Sequence, residues 1–155
     1  MAKPIYILNG PNLNLLGTRQ PEIYGTMTLE TIEEGTAAHA LKLGMSIVFR
    51  QTNSEGELVD WCQEAARHAC GLIINAGAYT HTSIALMDAL LTLDIPIIEV
   101  HLSNLQKREH FRHNSYVTPA ATGMISGLGA QGYLRAIDAL HGLVKIPAST
   151  QTKTE

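Results

Sequence analysis

Four short apolar runs, three of them unbroken, constrain this chain more than any other feature. They are Ile5–Leu8, Ile47–Phe49, Leu72–Ile74 and the stretch Ile95–Val100, which Pro96 and Glu99 interrupt. A run with no polar alternation has no side for water, so both of its faces must be covered. Helical patterns lie between the runs, and that alternation predicts a parallel sheet packed between two layers of helices. With Met124–Ser126 as a weaker fifth strand, the expectation is a single-domain α/β fold with a five-stranded, doubly wound parallel sheet in the flavodoxin-like order.

The helix signals sit where this alternation needs them. Thr28 can cap a helix through Leu29, Ile32, Thr36, Ala40 and Leu43, with Glu30 and Glu33 near its positive end and Gly44 as its stop. A strand over Met45–Gln51 follows. Asn53 and Ser54 open a second helix carrying Leu58, Cys62, Ala65 and Ala69 at helical spacing, and Gly71 is expected to end it. Ser83–Leu93 reads as a third helix, Ile95–His101 as the fourth strand, and Asn104–Arg112 as a short helix or loop. Gln131–Val144 is a last amphipathic helix. The tail from Pro147 is rich in Ser, Thr and Lys without an apolar anchor, so a domain over 1–146 and a disordered tail over 147–155 are expected.

Composition narrows the function. With 155 residues, a net charge of −3 and no basic block, neither nucleic acid nor an anionic membrane surface is indicated as a partner. No apolar run approaches the roughly 20 residues of a membrane span, and the first residues carry no signal-peptide core, so a cytoplasmic location is expected. Cys62 and Cys70 lie eight apart without a Cys-x-x-Cys pattern and read as reduced packing residues. His110 and His113 have metal-compatible spacing, but Lys107, Arg108 and Arg112 flank them, so no metal site is expected. Phosphate-binding glycine motifs are missing, and no lysine terminates a core strand where an imine could form.

In a doubly wound sheet, ligands bind beyond the carboxyl ends of the strands, near the point where strand order reverses. Those ends carry Asn9–Asn14, Asn75–His81 and Glu99–Ser103, so the unusual polar residues fall on one rim. Glu99 and His101 are two apart on a strand and share a face. A carboxylate beside an imidazole suits a general acid, although the pair can also be read as a solvent-exposed strand end. His81 either binds a ligand or caps the helix after it. Leu102–Asn104 starts a helical turn whose backbone N–H groups suit an anion, with Arg112 near enough in sequence to join. Between Gly17 and Gly25, Arg19 and Tyr24 lie in a segment without period, which reads as either a mobile lid or a plain surface loop.

Taken together, these blocks resemble the type II 3-dehydroquinate dehydratases of the shikimate pathway over about residues 4–144. The resemblance rests on Ile7–Gly17 with Arg19, Pro21, Tyr24 and Gly25, on Asn75–Ser83, and on Glu99–Asn104 with Arg108, Glu109, Phe111, Arg112 and Ser115. Gly35 and the Met124–Ile125 pair depart from the family pattern only at scaffold positions. The resemblance implies a flavodoxin-like subunit in trimers, usually assembled into dodecamers. It also implies loss of water from 3-dehydroquinate through an enolate, without metal, cofactor or Schiff base, in aromatic biosynthesis or quinate breakdown. Carried over by residue, Tyr24 is the base, activated by Arg19, and Asn12 holds a water that stabilises the enolate. His101, oriented by Glu99, protonates the leaving hydroxyl. Asn75, His81, Arg112 and the Leu102 and Ser103 amides hold the ring hydroxyls and carboxylate, and Asp88 reaches a neighbouring subunit's site. The alternative is a non-catalytic small-molecule binding protein on the same fold.

Overall fold

β1, Ile5–Asn9, exposes none of its five residues and lies at the second position of a five-stranded sheet. The computed structural model describes residues 2–18, 22 and 26–144. Its other strands are β2 (Ile47–Gln51), β3 (Gly71–Asn75), β4 (Ile97–His101) and β5 (Gly123–Ser126), in the order β2-β1-β3-β4-β5 with every pair parallel. This is the doubly wound, flavodoxin-like order expected from the apolar runs, and it reverses between β1 and β3.

Side-chain alternation along β1 explains why the run has to be continuous. Ile5 and Ile7 point to one face, where α1 (Leu29–Lys42) and α4 (Gln131–Val144) supply Ile32, Ala40, Ala136, Ile137 and Leu140. Tyr6 and Leu8 point to the other, against Leu58, Cys62 and Ala65 of α2 (Glu55–His68) and Leu86 and Leu90 of α3 (Ile84–Leu91). Three helices start on the hydroxyls that the sequence offers. Thr28, Ser54 and Ser83 accept the N–H groups of Thr31, Glu57 and Leu86 at 3.1, 3.3 and 2.9 Å. Cys62 is buried on the α2–α3 face, where burial pushes its thiol up to about 12, and Cys70 packs partly buried on the other; both are free thiols.

The element ends differ from expectation in places. α2 stops at His68 and Gly71 opens β3 instead of ending the helix. A Cβ at Gly71 would lie 3.1 Å from Leu140 Cδ2, so this glycine lets α4 settle onto the sheet. β4 begins at Ile97, two residues late, because Pro96 has no N–H for the ladder and contributes only its carbonyl, which accepts from Leu72. The Asn104–Arg112 stretch forms two separate 3₁₀ turns, Leu105–Lys107 and His110–His113. β2 begins at Ile47, and α3 ends at Leu91. Arg19 and Tyr24, the candidate lid residues, and the tail from Pro147 lie outside the described residues. Among the described residues no helix is long and apolar enough to cross a membrane.

At the carboxyl rim, β1 and β3 end level, with Asn9 opposite Asn75. Their turns then interlock. Gly10 donates its N–H to the Asn75 carbonyl at 2.8 Å, and a Cβ on Gly10 would sit 2.2 Å from the Ala76 carbonyl oxygen. Gly77 answers from the other side at φ +58, where a Cβ would meet the Pro11 carbonyl oxygen at 3.0 Å.

Two glycine substitutions should therefore move stability in opposite directions. Gly10→Ala has to displace backbone, and urea unfolding should show a loss of about 2–3 kcal/mol. Gly35→Ala, in the interior of α1 with nothing within 4 Å of its Cβ, should gain about 0.5–1 kcal/mol. A neutral Gly10→Ala would mean that the β1 and β3 turns are not in contact.

Candidate active site

The site is built from the ends of β1, β3 and β4. On β4, Glu99 and His101 both face the α3 side, and neither is an exposed strand end: Glu99 is 0% and His101 4% accessible. A buried carboxylate must be met by donors, and three converge on this one. His101 Nε2 donates to Oε2 at 2.5 Å, Ser115 Oγ to Oε2 at 2.8 Å, and Thr118 Oγ1 to Oε1 at 2.6 Å. Ser115 has no choice of partner for its proton, because its oxygen already accepts the N–H groups of Val117 and Thr118. Burial alone would push the Glu99 carboxyl up. The hydrogen bonds from His101, Thr118 and Ser115, with the charge at His101, outweigh it and hold the carboxyl below its ordinary range. Glu99 is thus an anion that fixes the His101 ring through Nε2 and leaves Nδ1 for whatever enters the cleft.

His81, from the 3₁₀ turn Gly77–His81 after β3, sits across from this pair. Its Nδ1 lies 2.8 Å from the Asn114 carbonyl, which can only accept, so Nδ1 carries the proton and Nε2 is the free acceptor. Burial lowers its pKa; the bond to Asn114 opposes this, while the positive charges at His101 and Arg112 add to it. The ring is therefore held neutral.

His101, His81, Asn75, Leu102, Ser103 and Arg112 line one cleft together with Leu13, Gly77, Leu105 and Arg108. Arg112 is held by Glu109, with Nε 3.1 Å from Oε2, and Arg108 donates to Ser103 Oγ at 3.5 Å. Two guanidiniums and a row of donors give the mouth the character of an anion site. The cleft has room for about 40 Å³, enough for only a few waters. A ring-sized ligand is larger than this space. A roomier depression of about 470 Å³ lies behind the pair, against Ser115, Thr118, Pro119 and Met124. It touches the hydroxyls that hold Glu99, whereas the imidazole opens on the smaller cleft.

Of the residues expected at the site, Asn75, His81, Glu99, His101, Leu102, Ser103 and Arg112 are brought together. Asn12 stands on the same rim in a left-handed conformation (φ 67), its N–H bonded to Asn53 Oδ1 at 3.0 Å, but it does not line the cleft. Asp88 is exposed on α3, away from it. Arg19 and Tyr24 lie outside the described residues. Thr118 has no role in the sequence reading, and Ser115 and Arg108 have only a place in a motif. A hydroxyl 16 or 19 residues from its carboxylate leaves no periodic trace in a sequence. Among the described residues no lysine lines the cleft, and no three His, Cys, Asp or Glu side chains gather as a metal would require.

Known proteins resemble this chain over most of its length. The family model described as "Dehydroquinase class II" matches residues 3–141. A "3-dehydroquinate dehydratase" of Hyphomonas neptunium is 65% identical over 139 residues, covering 90% of this chain and 93% of its own. A protein of the same name from Caulobacter sp. (strain K31) is 59% identical over 144 residues, covering 93% and 98%. Among solved structures, the type II dehydroquinase of Propionibacterium acnes superposes with a TM-score of 0.87 at 44% identity, covering 92% of this chain and 98% of that one.

The donor set around Glu99 makes a titration prediction. Its folded carboxyl ionises below the ordinary value of 4.5. Its contribution to stability is therefore complete above that value and is lost as pH falls through the folded one. Thr118→Val keeps the shape and removes one donor. The Glu99 midpoint, read by carbon-13 side-chain titration, should rise toward the ordinary value, and acid unfolding should begin at higher pH. An unmoved midpoint in the folded variant would mean that Thr118 does not hold the carboxylate.

Proposed function

Since this chain belongs to the class II dehydroquinase family, we propose that its rim cleft is where 3-dehydroquinate loses water, with the labour divided as follows. Dehydration of 3-dehydroquinate in the shikimate pathway is what the family does, and this chain is an enzyme of the type II class. The reaction removes a proton beside a ketone and expels a hydroxyl as water, so it needs a base, a stabiliser for the enolate and an acid for the leaving group.

His101 is the acid. It presents Nδ1 to the leaving oxygen, and Glu99 behind it carries the negative charge that an imidazolium requires. Tyr24 is the base, with Arg19 as its activator. An unperturbed tyrosine with a pKa of about 10 is short of phenolate at pH 7 by roughly 4 kcal/mol. A guanidinium alongside can recover about 1–3 pKa units of that. Asn12, with its side chain unbonded among the described residues, holds the water that stabilises the enolate. His81 accepts a ring hydroxyl at Nε2, Asn75 binds a second ring oxygen, and Arg112 with the Leu102 and Ser103 amides takes the carboxylate. The subunits form trimers that assemble into a dodecamer, in which the exposed Asp88 enters a neighbour's site, and the enzyme works in the cytoplasm without a cofactor.

One observation carries this reading: a buried carboxylate–imidazole pair opens onto a cleft lined by donors and, among the described residues, by no lysine. The buried anion supports an imidazolium, which is the form a general acid requires. That none of the described residues of that wall is a lysine supports the enolate route over an imine.

Incubation with 3-dehydroquinate should produce the ultraviolet absorbance of a conjugated enone. Tyr24→Phe should lower turnover by at least about 10², and Arg19→Ala should move the basic side of the pH profile upward. No product from the parent at high protein concentration would refute the activity. A Tyr24→Phe variant within about tenfold of the parent would place the base elsewhere.

A further inference from the structure

Tyr133, on α4, is wholly buried, and its ring packs 6.3 Å from that of Phe49. An apolar phenylalanine would fill the same space. The hydroxyl therefore calls for an account, and it stands in the middle of a hydrogen-bond chain whose direction is completely determined.

The chain starts at the Arg50 carbonyl on β2. A carbonyl only accepts, so the amide of Asn9 must present Nδ2 to it, at 3.0 Å. That turns Asn9 Oδ1 toward Tyr133, where it takes the hydroxyl proton at 2.6 Å. With its proton committed, the Tyr133 oxygen can only accept, and Asn75 meets it with Nδ2 at 3.1 Å. Asn75 Oδ1 is then left facing the N–H of Gly77 at 3.3 Å, a backbone group that can only donate. Both ends of the chain are main-chain groups with a single role. Turning over the Asn9 amide would set oxygen against the Arg50 carbonyl. Turning over the Asn75 amide would set oxygen against oxygen at Tyr133 and nitrogen against nitrogen at Gly77. One arrangement satisfies every member. Burial pushes the phenol well above its ordinary value of 10, although the bond from Asn75 opposes this, so the proton stays on the hydroxyl.

An asparagine amide has two N–H groups. Tyr133 takes one from Asn75; the second has no partner among the described residues, and Asn75 lines the cleft. We propose that Tyr133 is a positioning residue, which through Asn75 makes this point of the cleft a hydrogen-bond donor and so selects a substrate oxygen that accepts there. The consequence is a matter of polarity. A hydroxyl or carbonyl oxygen of the substrate is met correctly, whereas an Asn75 left with only the longer 3.3 Å bond from the Gly77 N–H would be held less firmly in this orientation. The inference rests on the cleft being the substrate site, as proposed above.

The test is a double-mutant cycle on the full-length enzyme, with kcat and KM for 3-dehydroquinate and urea unfolding measured on each variant. Tyr133→Phe removes only the hydroxyl and should lower kcat/KM by about 3- to 10-fold, mainly through KM, the effect of losing about one oriented hydrogen bond. In an Asn75→Ala background the same change should have no further effect on kcat/KM, while its effect on the unfolding midpoint persists. A purely structural tyrosine would move the unfolding midpoint and leave the two activity effects independent. Should Tyr133→Phe fail to fold, Asn9→Ser serves instead: it frees the Tyr133 proton to meet Asn75 in either orientation and should lower kcat/KM with the same dependence on Asn75. Additive losses, or an unchanged kcat/KM in folded Tyr133→Phe or Asn9→Ser, overturn the proposal. An inactive parent would instead refute the functional reading itself, and a fully active Asn75→Ala would overturn the role of Asn75 and this proposal with it.

Discussion

A carboxylate with none of its surface in contact with water is the constraint on which the rest of this site depends. Taking an ion out of water costs several kcal/mol even after the protein relaxes. Charge-assisted hydrogen bonds return about 1.5–3 kcal/mol each, so Glu99 needs roughly the three donors it has: His101, Ser115 and Thr118. Two of them come from the segment after β4, which has little regular structure of its own. The demand of one buried anion thereby holds that segment against the sheet, and the same segment carries Arg108 and Arg112 to the mouth of the cleft. The third donor is the imidazole that the chemistry uses. Removing the anion would loosen the wall and the acid together.

The second constraint is steric. β1 and β3 flank the point where strand order reverses, and their turns touch without side chains between them, Gly10 against Ala76 and Gly77 against Pro11. That closeness puts Asn9 and Asn75 side by side, near enough for one tyrosine hydroxyl on α4 to serve both. The floor of the cleft is consequently a property of the sheet and of a helix on its far side, while its walls belong to loops. Arrangements of this kind place binding groups on rigid elements and leave access to mobile ones.

What the sequence made legible was whatever a short window contains. The apolar runs marked β1, β3 and β4 as covered on both faces, and Thr28, Ser54 and Ser83 marked three helix starts at the residues that cap them. Glu99 and His101 were visible as a pair because a strand puts alternate residues on one face. Their burial was not visible, and an exposed strand end remained open until the packing around β4 was known. Ser115 and Thr118 could not be assigned to Glu99, since nothing local links a loop hydroxyl to a strand carboxylate. Tyr133 sits at a core position of an amphipathic helix, where an aromatic side chain reads as packing; its hydroxyl matters only once Asn9 and Asn75 are seen beside it. Gly71 reads as a helix stop in the sequence because the close approach of Leu140 comes from a helix about seventy residues downstream.

The central claim is that the buried charge of Glu99, and not merely its shape, makes His101 an acid. Steady-state turnover of 3-dehydroquinate by Glu99→Gln tests it most directly, because glutamine keeps the outline and removes the charge. The account predicts a kcat lowered by about 10²–10⁴, with KM changed only a few-fold and the fold intact. A folded Glu99→Gln enzyme whose kcat stays within about threefold of the parent would contradict it, because general acid catalysis by a charge-supported imidazole contributes far more than that.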